Sequence, residues 1–547
     1  ASHTVLVAYL MCQCFWSAGV PPAALQFVPC SGAAEGERLA SHDAVDAVVL
    51  TGGTPTALAM LRQKPTMNLL AETGGKNATI VTALSDRDLA IKNVVHSAFS
   101  HSGQKCSATS LLILEDEVYH DRKFRDTLCD AVESLRVGSA WELPTRINPL
   151  IQPPSGELER ALKELEPGES WAVMPRLHVD GNPHLVGPAV KWGVMPRSST
   201  HTCELFGPLL GVMRATNLHE AIDLVNATGY GLTSGLESLD DREHELWQRR
   251  VRAGNLYINR PTTGAIVLRQ PFGGMGRSAF GPGVKAGGPN YVLPLMRFFD
   301  SMDAAVARGP AADDRVVPPP ALALARQPLA ERRQQLHALR DHLHGLAAKD
   351  RSLLNAEDCS RLSAAIESYL HWAVEEFDAV HDSFRLVGED NFRRYLPLHD
   401  LRIRLHEADT PLDVFARAAA ARAAGCRTAI SLPRDSTNRL RDLFRLLDEL
   451  TDSWAASIEF IEESDEELAA AIRSSQLTRI RYADRSRTPE AVRRAAAECF
   501  LFIADAPVAV CGRVELLWYL QEQSVSHAYH RYGNLGRRAD EARSAVT

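Results

Sequence analysis

Along most of its length the chain alternates short apolar runs with amphipathic stretches. Residues 4–19 (TVLVAYLMCQCFWSAG) place apolar side chains at helix-compatible spacing and stop at Gly19, ahead of Pro21 and Pro22. The apolar run Leu25–Pro29 predicts a strand, followed by a turn that holds Gly32 and Gly36. A second predicted strand, Ala44–Leu50, feeds Thr51-Gly52-Gly53-Thr54 and then a helix. Strand, glycine-rich turn and helix in succession predict a parallel α/β layer, and such a turn brings backbone amides close to a pyrophosphate. The alternation continues from about residue 76 to 300.

The pattern then changes. Residues 301–328 are rich in Ala and Pro, with little to bury, and read as a linker. Beyond it, 329–349 and 356–379 predict charged amphipathic helices. An Ala-rich helix at 411–424 runs into a strand at Arg427–Leu432, and further strands are predicted at Ser457–Ile461 and Phe500–Ile503. Residues 329–547 therefore form a second α/β module. A length of 547 residues agrees, being too long for one ordinary core.

Composition narrows the class. Apolar residues at 45% and charged residues at 23% are ordinary for a soluble globular protein. The net charge of −8 supplies no basic footprint for nucleic acid. No apolar run approaches the roughly 20 residues that span a bilayer, and residues 1–20 lack a signal-peptide pattern. Scattered cysteines, ten in all, point to reduced thiols and a cytoplasmic setting. Cys12 and Cys14, and likewise His527, His530 and Tyr532, lack the further ligands a metal needs, so no metal is expected.

The chemistry is carried by a pair. Glu72 ends an apolar approach and precedes Gly74-Gly75-Lys76; Cys106 follows Gly103-Gln104-Lys105 in a polar setting. A thiolate that attacks a carbonyl and a carboxylate that later activates water on the thioester are what an aldehyde-oxidising enzyme requires.

With these residues in view, 1–300 resembles the aldehyde dehydrogenase superfamily. Within it the likeness is to the glutamate-semialdehyde (Δ1-pyrroline-5-carboxylate) dehydrogenase branch found in the C-terminal part of bifunctional proline-utilisation (PutA) proteins. The family's E-x-G-G-K stands at Glu72–Lys76, its G-Q-x-C at Gly103–Cys106, its E-x-F-G-P at Glu204–Pro208 and its P-F-G-G at Pro271–Gly274. The resemblance implies a Rossmann-type NAD-binding part over 1–73 and an α/β catalytic domain over 74–300. It makes Cys106 the nucleophile and Glu72 the base. Thr51, Gly52, Gly53 and Gly74 would lie near the cofactor, Glu204 on the nicotinamide ribose and Phe206 against the nicotinamide. The loop GPGVKAGGPNY (281–291) resembles one that grips the substrate's α-carboxylate through backbone amides, which implies substrate roles for Lys285, Ala286, Gly287 and Gly288, with Ser107 and Ser278 beside them. Here the loop carries Gly283 and Val284 as extra residues.

The implied reaction is NAD-dependent oxidation of L-glutamate γ-semialdehyde to L-glutamate, the second step of proline catabolism. The stretches 384–397 and 514–534 resemble the same proteins, but the module has no second E-x-G-G-K or G-Q-x-C. It reads as a degenerate relative with a structural or assembly role. The family's upstream oxyanion Asn and adenosine-side Lys would lie before residue 1. The expectation is thus a chain that opens part-way through its cofactor domain and is poorly active alone, with an FAD-containing proline dehydrogenase domain upstream in the parent polypeptide or as a partner. A homo-oligomer is also expected. The alternatives are a dehydrogenase for another aldehyde and a non-catalytic scaffold.

Overall fold

The computed structural model describes residues 3–298, 309, 313–323, 328–349 and 353–543. Helix α1 (Val5–Ser17) forms where its spacing predicts, and none of its residues is buried. The strand expected at Leu25–Pro29 is absent: the segment belongs to no named strand, and Val28 is exposed. Pro29 offers no N–H to a ladder. Strand β1 (Val48–Thr51) starts later than expected and leads through Gly52-Gly53 into α2 (Thr54–Gln63). It pairs in parallel with β2 (Leu69–Glu72), which sets Thr51 opposite Glu72.

A layer of longer strands follows. All five residues of β3 (Asn77–Val81) are buried, as a strand covered on both faces requires. Helix α3 (Arg87–Phe99) begins at Asp86, whose carboxylate accepts the Leu89 N–H. Then come β4 (Thr109–Glu115), β5 (Ser170–Val173), β6 (Ala189–Trp192), β7 (Leu209–Ala215) and β8 (Thr233–Glu237). Helix α4 (Asp241–Arg250) and β9 (Asn255–Ile258) complete it, and the short β10 (Ala279–Phe280) returns antiparallel to β2.

The expected linker is only partly a linker. Residues 299–308, 310–312 and 324–327 lie outside the described residues. Residues 313–323 are packed: β11 (Arg315–Val316) pairs with β12 (Val380–His381), Asp314 binds His381, and Leu322 is buried. Helices α5 (Leu329–Lys349) and α6 (Ala356–Trp372) match the predicted amphipathic pair, although a π-turn at Ala373–Phe377 ends the second early. Strands β13 (Glu389–Pro397) and β14 (Leu401–Arg404) lead to α7 (Pro411–Ala424). Its ends follow the sequence: a Thr410–Asp413 capping box, Pro411 in the first turn, and Gly425 at φ +80° after the last turn. Strands β15 (Thr428–Pro433), β16 (Ile458–Glu463), β17 (Arg479–Arg481), β18 (Ile503–Ala504) and β19 (Leu520–Ala528) complete the fold.

Among the described residues these strands form two large sheets. One has eleven strands in the order β11-β12-β13-β19-β9-β8-β3-β4-β7-β6-β5. Catalytic and C-terminal strands thus share a ladder: β19 lies parallel to β9, with Asn255 opposite Ser524 and Ile258 opposite His527. The second sheet is parallel, in the order β16-β15-β14-β17-β18, with strand order reversing between β14 and β17. That is one doubly wound half.

Candidate active site

Four loops meet at the amino ends of β3 and β4. Glu72 closes β2, and its Oε2 accepts the Gly274 N–H at 3.0 Å. Burial pushes its carboxyl well above the usual carboxylate range, while the charge of Lys285 and the Gly274 amide work against that shift. Next, Gly74 adopts φ +84° and lies so close to Glu204 that a Cβ there would meet the carboxylate at 2.3 Å. Only glycine fits. The Gly75 N–H donates to Glu204 Oε1 at 3.0 Å, and burial raises the Glu204 carboxyl as well.

Cys106 sits half-buried facing both acids. Burial raises its thiol, the Glu204 and Glu72 charges add to that, and the N–H groups of Cys106 and Ser107 oppose it. Two contacts weld the thiol loop to the Glu204 loop. A Cβ on Gly103 would meet the Gly207 carbonyl at 2.2 Å, and the Gln104 side chain donates to the Phe206 carbonyl at 3.3 Å. Phe206, at φ +51°, stays largely exposed.

The nucleophile loop is held from below by residues the sequence reading did not single out. Asn77 Nδ2 donates to the Cys106 carbonyl at 2.7 Å and to that of Ala108 at 3.0 Å, while its Oδ1 accepts the Thr233 N–H at 3.0 Å. The Thr262 hydroxyl donates to the Ser107 carbonyl at 3.0 Å. Asn77 directly follows Glu72–Lys76, so its position was readable, but its partner lies 29 residues on.

The expected substrate grip is laid out differently. Lys285 gives its N–H to Glu522, Ala286 to the Phe272 carbonyl and Gly288 to the Lys285 carbonyl. Three of the four amides expected to hold a carboxylate are therefore already spent, although Gly287 keeps φ +73°. Ser278 is fully buried, its Oγ accepting the Gly231 N–H at 3.0 Å. Ser107 remains beside the thiol, buried and anchored through its carbonyl. A different turn follows Thr262. The N–H groups of Thr263, Gly264 and Ala265 donate to no described residue, and Gly264, at φ +91°, faces open space. Successive free amides around a left-handed residue form a concave anion site.

On the cofactor side, Thr51-Gly52-Gly53 adjoins the base: the Gly52 N–H donates to the Glu72 carbonyl at 3.1 Å. Gly53 is the N-cap of α2, and no side chain caps that helix. Pro55 has no N–H and the Thr56 N–H donates to the Gly53 carbonyl, so the Gly53 and Thr54 amides are what this end offers an anion; Glu204 stands across the thiol to accept hydroxyl donors, and together these residues fit a nicotinamide dinucleotide. Among the described residues no group of three or more His, Cys, Asp or Glu is arranged for a metal ion, and no helix is long and apolar enough to cross a membrane.

A thiol between two half-buried carboxylates, on an α/β fold carrying all four motifs, defines a class. The aldehyde dehydrogenase family profile matches residues 1–297, and the chain belongs to that family. Among its relatives, 1-pyrroline-5-carboxylate dehydrogenase of Geobacillus thermodenitrificans is 32% identical over 307 residues, covering 54% of this chain and 58% of that protein. The bifunctional protein PutA of Escherichia coli is 34% identical over 322 residues, covering 54% of this chain and 23% of its own length. The structure of Proline Utilization A from Corynebacterium freiburgense superposes with a TM-score of 0.71 at 36% identity, over 96% of this chain and 46% of that one. That superposition takes in the C-terminal module. The chain thus spans 58% of the first of these relatives and less of the other two.

Proposed function

We propose that the chain carries the site of an NAD-dependent aldehyde oxidation that ends in a hydrolysed thioester, with L-glutamate γ-semialdehyde as substrate. The observation that carries this reading is Cys106 facing a half-buried carboxylate, Glu72, whose proton affinity desolvation has raised into the range of a general base. The Cys106 thiolate adds to the aldehyde carbon, and its own N–H and that of Ser107, which act on the sulfur, are the donors this reading offers the developing charge. When bound, NAD would supply the acceptor for the hydride that leaves this carbon, and the Thr51–Gly53 turn with the Thr54 N–H would hold its phosphates and Glu204 its ribose. The acyl group is then a thioester on Cys106. Glu72 takes a proton from water, the hydroxide adds to the acyl carbon, and the thiolate leaves with the carboxylate product.

The 1-pyrroline-5-carboxylate dehydrogenase and PutA likeness supports glutamate semialdehyde as the aldehyde and a proline dehydrogenase domain in a bifunctional parent. The turn at Thr263–Ala265, beside Ser107, supports recognition of an anionic substrate end in place of the 285–288 loop. NADH formation with glutamate semialdehyde, with Cys106→Ala as blank, is the test. Turnover that depends on Cys106 and fails with aldehydes lacking the α-carboxylate supports the reading. Equal rates with such aldehydes assign another substrate, and no Cys106-dependent chemistry of any kind leaves a scaffold.

A further inference from the structure

Lys285 is buried at 1% exposure, close to the base yet outside the role its loop suggests. Its Nζ donates to the Gly273 carbonyl and lies 3.5 Å from Asn255 Oδ1. The slot is tight, since a Cβ on Gly254 would meet that amine at 2.4 Å. The Gly273 carbonyl and the Gly274 N–H belong to one trans peptide and point in opposite directions. The N–H end donates to Glu72. A cation on the carbonyl end polarises the peptide and strengthens the donor at the other end.

What seats Lys285 comes from the far end of the sequence. Its N–H donates to Glu522 Oε2 at 3.0 Å, across 237 residues. The Glu522 N–H donates to the Gly283 carbonyl at 3.0 Å, and its Oε1 accepts from Asn290. Asn290 also reaches the Tyr395 hydroxyl at 2.8 Å, so the 283–290 loop lies against β19 and β13. Glu522 is 1% exposed, and every one of these contacts is buried.

From this chain of contacts we infer that Glu522, a residue of the C-terminal module, is a positioning residue for the base: it seats Lys285, whose ammonium caps Gly273 and so aims the Gly274 N–H at Glu72. The inference rests on Glu72 being the base of the proposed reaction. The groups facing Glu72 are Lys285, Cys106 and Tyr291, with the Gly274 amide; those facing Lys285 are Glu72 and Glu522. Of these, Lys285 is the cation that opposes burial in setting the proton affinity of Glu72.

Hydrolysis of p-nitrophenyl acetate separates the steps without cofactor or aldehyde: a burst reports acylation of the thiol, and the steady state reports deacylation. Glu522→Ala and Lys285→Met are expected to keep the burst while deacylation slows by about tenfold or more. Both should move the pH inflection of deacylation upward, because a carboxylate that loses a nearby cation holds its proton more tightly. Glu522→Gln keeps an acceptor oxygen for the Lys285 N–H and should stay within about threefold of the wild type. A purely structural role would slow both steps together and leave the inflection in place, and that result overturns the inference. So does a Glu522→Ala protein that deacylates normally. If Glu522→Ala does not fold, Lys285→Met and Glu522→Gln decide alone, the first by its inflection and the second by its rate. A burst that survives Cys106→Ala overturns the reading of the site itself and the inference with it. A burst lost in Cys106→Ala beside an unaltered Lys285→Met overturns the inference only.

Discussion

Two βα turns in this chain, one after the edge strand β1 and one after the interior strand β14, are finished in opposite ways. After β1 the chain passes through Gly52-Gly53 into α2, whose amino end carries no side-chain cap. After β14 it passes through 405–410, a stretch without glycine, into α7, where Thr410 and Asp413 cap each other's backbone. The strand order reverses here, where doubly wound sheets hold ligands. Arg417 fills the place. Its guanidinium donates to the last carbonyls of both strands at the reversal, Arg404 at 2.9 Å and Arg481 at 3.4 Å, and pairs with the fully buried Asp409. Arg487 closes the cluster on Asp409 at 2.7 Å and on Asp413 at 2.9 Å. The C-terminal module shows one doubly wound half, and at its strand reversal Arg417, Arg487, Asp409 and Asp413 pair with one another and with the strand-end carbonyls. Function lies in the groups left open, not in the fold.

The sharpest way to break this contrast is at the thiol. Cys106→Ala is expected to lower aldehyde turnover by about 10⁴-fold or more, read as NADH formation. Glu72→Gln should lower turnover by about 10²–10⁴-fold while an acyl-enzyme accumulates, visible as a stable mass increment on Cys106. In the closed turn the loss should instead be of stability. Asp409→Ala strands a buried guanidinium and is expected to cost about 3–5 kcal/mol in urea unfolding, with the pH profile of the enzyme unchanged. A Glu72 effect on stability should run the other way. Its carboxyl is raised in the folded state, so the native protein binds more protons than the unfolded chain between the two values, and stability falls as pH rises through that window. Glu72→Gln should flatten that fall, as thermal unfolding across pH 4–8 would show. Smallest of all, Leu6→Gln on α1, where Leu6 is 69% exposed, should change stability by less than about 0.5 kcal/mol and reduce binding of an apolar dye.

Much of this was legible along the chain. The four motifs locate the site because each occupies a single loop, and glycines such as Gly74 report close approaches that no other residue permits. Helix α7 was readable from Thr410, Pro411 and Gly425, since caps are local. The sharing of one sheet by β9 and β19 was not, because nothing in SVSH at 524–527 specifies a partner at 255–258. The contact that seats Lys285 was not legible for the same reason: the acceptor that takes its N–H is 237 residues away. The strand expected at 25–29 failed because an apolar run needs a neighbour with free backbone groups as well as the right side chains.

The union of β9 with β19 also imposes a schedule. Gln523 donates to the Ala253 carbonyl across 270 residues, so at 5–20 residues per second a ribosome spends roughly 15–55 s between making the two. Throughout that interval β9 is the exposed edge of a nascent sheet, a surface on which other chains can polymerise. Strand β19 therefore covers the β9 edge at the same moment that it seats Lys285 behind the base. Synthesis must run almost the whole length of this sequence before the site near its beginning is finished.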